Sequence, residues 1–206
     1  MEKKTKINMT IPLILSYKNE TLRIGDYFDI MVGIVSGSDK IYKNKIGNVK
    51  VITSFSDDKI ITEKYILINK FPSKDKKINE HLIEHKLQLM NRKIRKFNKK
   101  NWFEWGALRN YKKIKKLKGN DCIYVKNLTR NETIATQHTI SLFGGNLLIM
   151  IPKTKKILSL KNIVGFINSK IFRKRHTFSG RFKIGQRELT EILIPKEEHH
   201  IFYPFI

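Results

Sequence analysis

Apolar residues recur along this chain at two spacings, and the change from one to the other divides it. Between residues 11 and 70 they come as short runs, at 11–15, 28–35, 50–52 and 65–68, with Gly, Asn and Asp between them. Short apolar runs bounded by turn-formers predict strands. Phe71-Pro72-Ser73 interrupts this pattern. From about residue 76 to 99, Ile78, Leu82, Leu87, Met90, Ile94 and Phe97 return every three to five residues, with Ile83 alongside. That predicts one long amphipathic helix, its stripe docked on a core and Lys86, Arg92, Lys93, Arg95 and Lys96 facing out. Beyond it a mixed part, about 101–195, holds strands at 122–125 and 142–151, a helix at 159–172, a short strand after the Ser179-Gly180-Arg181 turn, and a last strand at 189–194. The Gly144-Gly145 pair leads into the second of these strands, whose unbroken apolar run reads as buried. The expectation is an α+β fold in which mixed sheet lobes accompany one long helix, all within a single domain of residues 1–206.

Composition is globular, with 40% hydrophobic and 10% aromatic residues, but charge is lopsided: 42 Lys and Arg against 18 Asp and Glu, a formal +24. So basic a chain repels itself unless it meets an anionic partner, which puts nucleic acid first and a membrane surface second. No stretch approaches the ~20 apolar residues of a membrane span. The run at 11–15 follows Lys3, Lys4 and Lys6 but contains Pro12 and precedes Lys18 and Glu20, so it reads as a strand and not a signal peptide. The one cysteine, Cys122, has no partner for a disulfide, which fits a cytoplasmic location.

The charge is concentrated. Residues 76–118 hold fifteen Lys or Arg against three Glu, and residues 153–187 hold eleven with no acid at all. The second block contains Arg173-Lys174-Arg175, then Ser179, Arg181, Lys183, Gln186 and Arg187 around aromatics. Cations displace phosphate counterions, while Gln and Arg can reach base edges, so this block suits a nucleic acid. Lys93 and Lys96 add phosphate contacts from the helix, and Lys126 and Arg130 stand at the far end of the 122–125 strand. The segment Val32-Gly33-Ile34-Val35-Ser36-Gly37-Ser38 is a strand running into a small turn that lets backbone amides approach a phosphate, with Lys40 beside it. An ordinary hairpin turn explains it equally well. Trp102, Phe103 and Trp105 suit a core, although an exposed Trp105 or Arg109 could stack on or clamp a base.

Two metal-like patterns have weaker claims. His81, Glu84 and His85 match an H-x-x-E-H zinc motif, but no third protein ligand is identified among His138, His176, His199 and His200. Glu84-His85-Lys86 with Asp57 or Asp58 imitates half of a nuclease core, yet it falls in a helix where that motif needs a strand. No metal site is assigned.

Five motifs in order resemble the C-terminal target-recognition domain of TaqI-like adenine-specific DNA methyltransferases. They are the VGIVSG turn ending at Gly37, the WFEWG segment at 102–106, IYVKNLTR at 123–130, FGGNLLIMIP at 143–152, and INSK followed by SGRFKIGQREL up to Leu189. The likeness covers about residues 20–195, and the same module is similar to half of a type I restriction specificity subunit. The resemblance implies a module that clamps duplex DNA and reads its sequence. Its partner would be a catalytic domain, in cis or in trans, that methylates an exocyclic adenine amine using S-adenosylmethionine. Neither an NPPY motif nor a glycine-rich adenosylmethionine loop is present, so no cofactor and no catalysis are expected in this chain. Matched by position, Ser36, Gly37, Ser38 and Lys40 would approach the DNA backbone, while Ser179, Arg181, Lys183, Gln186 and Arg187 would read it. The alternatives that remain are a type I specificity half, a metal-dependent restriction nuclease and a general RNA binder.

Overall fold

The computed structural model describes residues 22–57, 59–154 and 159–198. The strand expected at 11–15, Asp58, His199 and His200 lie outside the described residues. A short helix α1 (Ile24–Tyr27) leads into β1 (Phe28–Val32), and a one-turn helix α2 (Asp39–Tyr42) precedes the hairpin of β2 (Val49–Ser56) and β3 (Lys59–Tyr65). Helices α3 (Lys76–Glu84), α4 (Lys86–Met90) and α5 (Tyr111–Lys116) follow. Then come β4 (Asp121–Lys126), β5 (Leu128–Thr129), β6 (Ala135–Thr139) and β7 (Leu147–Pro152). The C-terminal part holds α6 (Leu160–Asn168), α7 (Lys170–Arg175), β8 (Thr177–Phe178), β9 (Arg181–Lys183) and α8 (Gln186–Glu191). This is an α+β fold.

At its centre is an antiparallel sheet in the order β1-β7-β4-β6. Side chains alternate across a pleated strand, and here both faces are covered. Phe28, Ile30, Ile123, Val125, Leu148 and Met150 pack with Ile163, Ile167, Phe172 and Leu189 from the C-terminal helices. Met31, Cys122, Tyr124, Leu147 and Ile149 pack with Ile52, Phe55, Ile114 and Phe143 on the other side. Burial on both faces is why β7 reads as an unbroken apolar run. A further core gathers Tyr42, Tyr65, Ile66, Ile78, Leu82, Leu89, Trp102 and Trp105. Because β1 pairs with β7, the strand-rich first third shares its sheet with the rest of the chain.

Three expected elements take another form. The long helix breaks at His85 and ends at Met90, short of residue 99. His85 donates from Nδ1 to the His81 carbonyl (2.9 Å), and Arg92 then turns inward onto backbone carbonyls, which pulls the chain off the helical path. The expected strand at 189–194 begins instead as α8, because the Glu188 carboxylate accepts from the Gly185 N–H (3.2 Å) and caps the first turn. The helix expected at 159–172 is two helices, each started by a serine whose hydroxyl accepts from the third residue of its helix, Asn162 for Ser159 and Phe172 for Ser169. Strand β6 is an addition to the expected elements. The Asn168 amide fixes its start, accepting from the Ile134 and Ala135 N–H groups and donating to the Ala135 carbonyl, all at 2.9 Å.

Candidate nucleic-acid interface

The sequence from Thr177 to Lys183 alternates around a two-residue loop, and that dictates which side chains leave the protein. Ser179 and Gly180 both have positive φ, +48° and +71°. Two such residues make the tight hairpin loop that matches strand twist, and the loop sets Phe178 directly opposite Arg181. Strand β5 joins the other side of β9, with Leu128 opposite Lys183 and Thr129 opposite Phe182. Phe182 is the inward residue, 2% exposed, and packs near Phe172 and His176. The opposite face of this three-stranded ribbon carries Arg181, Lys183, Phe178 and Leu128, with Phe178 82% and Leu128 52% exposed.

The ribbon is held firmly at its base. The Lys183 N–H donates to the His176 carbonyl (3.0 Å), Ile184 to that of Asn127 (2.9 Å), and the Thr177 hydroxyl to that of Arg173 (2.7 Å). His176 Nδ1 lies 3.3 Å from a Glu188 carboxylate oxygen. Arg175, Arg187 and Arg130 are exposed around it, Arg130 following Thr129 toward the Arg181 end. Arg173 is half-buried and lies 3.8 Å from Glu132. Thus Arg130, Arg173, Arg175, Ser179, Arg181, Lys183 and Arg187 belong to one neighbourhood. Gln186 starts α8 there, but its amide donates to the Ile30 carbonyl (2.8 Å), which takes one of its donors away from any base.

Residues 32–40 fold differently from the anion cradle that the sequence suggests. Ser36 is buried, its hydroxyl donates to the Asp39 carboxylate, and the Ser38 N–H donates to the Ser36 hydroxyl (3.2 Å). The Ser36 carbonyl accepts from Gly106 and from Arg92, both at 2.9 Å. A carboxylate therefore already stands where a phosphate was expected. Of the four residues expected at the DNA backbone, Gly37 and Lys40 are exposed and Ser38 is half-buried. Gly37 has φ +78°, and a Cβ on it would come within 3.2 Å of Ile94. This turn borders a cleft of 610 Å³ lined by Asp39, Tyr65, Asn127, Gly145 and Asn146, and Asn127 is the residue that also ties the ribbon down.

Two further candidates are core residues. Trp105 is 3% exposed, its indole donates to the Ile66 carbonyl (2.7 Å), and its ring packs against Tyr42 and Tyr65, so no face is open to a base. Lys126 is 5% exposed; its ammonium donates to the Thr133 carbonyl (3.1 Å) and sits 4.4 Å from the Phe55 ring centroid. Burial lowers its pKa, with Asp57 opposing. Lys93, Lys96 and Arg109 are exposed, the two lysines on the irregular segment after α4 and not on a helix. Sequence reasoning passed over Phe178 and Leu128. The two-residue loop carried the signal for Phe178: if Phe182 points inward, the residue opposite Arg181 points outward.

Among the described residues, His81, Glu84 and His85 form the group whose donor atoms come within 4.8 Å of one another. His81 Nε2 donates to the Ile41 carbonyl and His85 Nδ1 to that of His81, each at 2.9 Å, leaving one lone-pair nitrogen on each ring. A divalent cation could be held there with solvent completing its shell. Glu84 and Lys86 sit at helix ends, and the Lys86 ammonium lies over Trp102, 5.4 Å from the ring centroid, so the strand geometry of a nuclease core is not built here. No helix among the described residues is long and apolar enough to cross a membrane.

No protein-family model and no curated protein matches the chain. Among solved structures it is similar to the type IIG restriction endonuclease BpuSI, at 13% identity and a TM-score of 0.42. The match covers 85% of this chain and 24% of the BpuSI chain, so this chain spans about a quarter of that enzyme.

Proposed function

We propose that this chain binds double-stranded DNA sequence-specifically, as the target-recognition module of an adenine-specific methyltransferase in a restriction–modification system. The carrying observation is the outer face of the β5-β9-β8 ribbon, where Arg181 and Lys183 stand on a hairpin tied down at its base, with Arg130, Arg175 and Arg187 exposed nearby. The β8–β9 hairpin ends in a two-residue loop that brings Arg181 to its tip, and Arg is the side chain that reads guanine bidentately in the major groove. The surrounding cations supply the phosphate term, which positions a protein without specifying sequence.

Chemistry on the base belongs to a catalytic domain joined to this chain or assembled with it. That domain supplies S-adenosylmethionine and extrudes the adenine, while this chain holds the flanking duplex in register. In this reading the described residues orient DNA and transfer no group.

Selection from randomised duplexes at about 150 mM salt, with and without magnesium, tests the proposal, since non-specific binding weakens steeply at that salt. Enrichment of a short motif containing adenine, without cleavage, is the expected result. Recovery of unselected sequence would leave a general polyanion binder, and magnesium-dependent cutting would make the chain a nuclease.

A further inference from the structure

The hairpin contains two phenylalanines, and the fold treats them oppositely: Phe182 is 2% exposed and Phe178 is 82% exposed. Phe178 stands next to the loop, across from Arg181, on a ribbon whose far side is packed on Phe172. We propose that Phe178 is an apolar wedge that enters the base stack of duplex DNA while Arg181, beside it on β9, reaches the neighbouring base edge and Lys183, further along the same strand, holds the backbone. The proposal rests on the duplex-binding reading and goes beyond it, from contact to deformation of the DNA.

Three observations favour DNA as the occupant of this face. Two cations on β9 stand beside the exposed ring on its own face, Arg181 directly across and Lys183 diagonal, and an apolar wedge next to cations is how architectural proteins unstack a base step and hold the bent duplex. The acids that border the ribbon, Glu132 and Glu188, lie at its base against Arg173 (3.8 Å) and His176 (3.3 Å), and the outer face itself carries Arg181 and Lys183. A protein partner laid over Phe178 would also have to desolvate Arg181 and Lys183, which costs free energy unless it brings carboxylates to both. Leu128, opposite Lys183 on the other side of β9, is a second exposed apolar side chain on this face, with the two cations between it and Phe178.

Wedge insertion unwinds DNA, and unwinding can be read without knowing the recognised site. The wild-type chain, Phe178→Ala, Phe178→Trp and Arg181→Ala are each bound to closed-circular plasmid, which is relaxed with a topoisomerase and then stripped of protein. Duplex affinity is measured in parallel by gel shift, with single-stranded RNA as competitor. The wild type and Phe178→Trp should leave negative supercoils. Phe178→Ala should bind within about tenfold of wild type yet leave the plasmid relaxed, since a wedge trades contact energy against unstacking. Arg181→Ala should require more protein for the same unwinding. Wild-type binding without unwinding, or undiminished unwinding by Phe178→Ala, overturns the wedge and leaves the recognition module standing. Failure of the wild type to bind duplex, or its displacement by RNA alone, overturns both.

Discussion

The guanidinium carbon of Arg92 lies 3.8 Å from the centroid of the Phe97 ring, and from that stacked position its nitrogens reach four backbone carbonyls. Nε donates to Leu89 (2.8 Å), Nη1 to Ser36 (2.9 Å), and Nη2 to Trp102 (2.7 Å) and Glu104 (2.9 Å). One side chain thus ties α4, the 32–37 turn and the tryptophan segment together. Arg92→Ala should destabilise the protein by about 2–4 kcal/mol, because truncation removes four hydrogen bonds and the ring stack at once, and only the Ser36 and Glu104 carbonyls keep a second donor, the Gly106 N–H and the Tyr42 hydroxyl. Arg92→Lys should recover little, since an ammonium cannot reproduce the planar fork. Urea unfolding followed by tryptophan fluorescence measures both.

Lys126 offers a pH test. Burial lowers its folded pKa below the ordinary 10.5, so over that interval the unfolded chain binds more protons. Its contribution to stability therefore rises as pH climbs from the folded value to 10.5. Lys126→Met should lack this rise, match or exceed wild-type stability at neutral pH by up to about 1 kcal/mol, and leave DNA affinity unchanged. Subtracting the two stability–pH curves isolates the lysine. A drop in duplex affinity in Lys126→Met would show that the ammonium reaches the DNA after all.

The Cys122 thiol is completely buried in the central sheet, and burial pushes its pKa up to about 12. Ellman's reagent at pH 8 should therefore label it at the rate of unfolding, and within seconds in denaturant. Rapid labelling of the native protein would mean that β4 opens locally.

Arg181→Ala should weaken binding to the selected motif by about 1–3 kcal/mol more than binding to random duplex, the range for one bidentate base contact. Competition gel shifts with both duplexes give the difference. Equal weakening on both would reduce Arg181 to a phosphate ligand.

Lys93 and Lys96 are exposed just beyond α4. Replacing both with Ala should lower affinity for all duplexes alike and flatten the log–log salt slope by roughly 0.9 for each phosphate no longer neutralised. An unchanged slope would assign them to solvent.

Much of this architecture can be read from residue spacing, and the failures have physical causes. The run at 147–151 and the Ser179-Gly180 turn are local signals, and both appear as expected, as β7 and the turn into β9, while β8 on the other side of that turn was not expected. The long helix failed at a step that was visible: Leu82 to Leu87 is five residues, which rotates Leu87 off the stripe and leaves it 76% exposed. Leu89, seven residues after Leu82, continues the stripe and is buried. Strand β6, Ala-Thr-Gln-His-Thr, lies at the sheet edge and exposes Gln137, His138 and Thr139, so little periodicity marks it. Strand β4 and the Asn168 amide, the latter from far along the chain, hold it in place.

In the interface, the cations on the hairpin were legible because alternation is local. Trp105 is buried as its apolar neighbours suggest, but Ser36 and Lys126 were not legible, because their burial depends on partners distant in sequence, Arg92 for the Ser36 carbonyl and Phe55 for the Lys126 ammonium.

The pairing of β1 with β7 sets the order in which a ribosome can deliver this fold. Phe28 lies opposite Pro152 and Val32 opposite Leu148, so among the described strands the first of the central sheet waits for the last. At about 5–20 residues per second, the wait is several seconds or more, during which apolar Phe28, Ile30 and Met31 have no sheet to join. Chaperone dependence during synthesis should therefore be set by this one strand pair, and a gene split between β1 and β7 should yield halves that fold only on meeting.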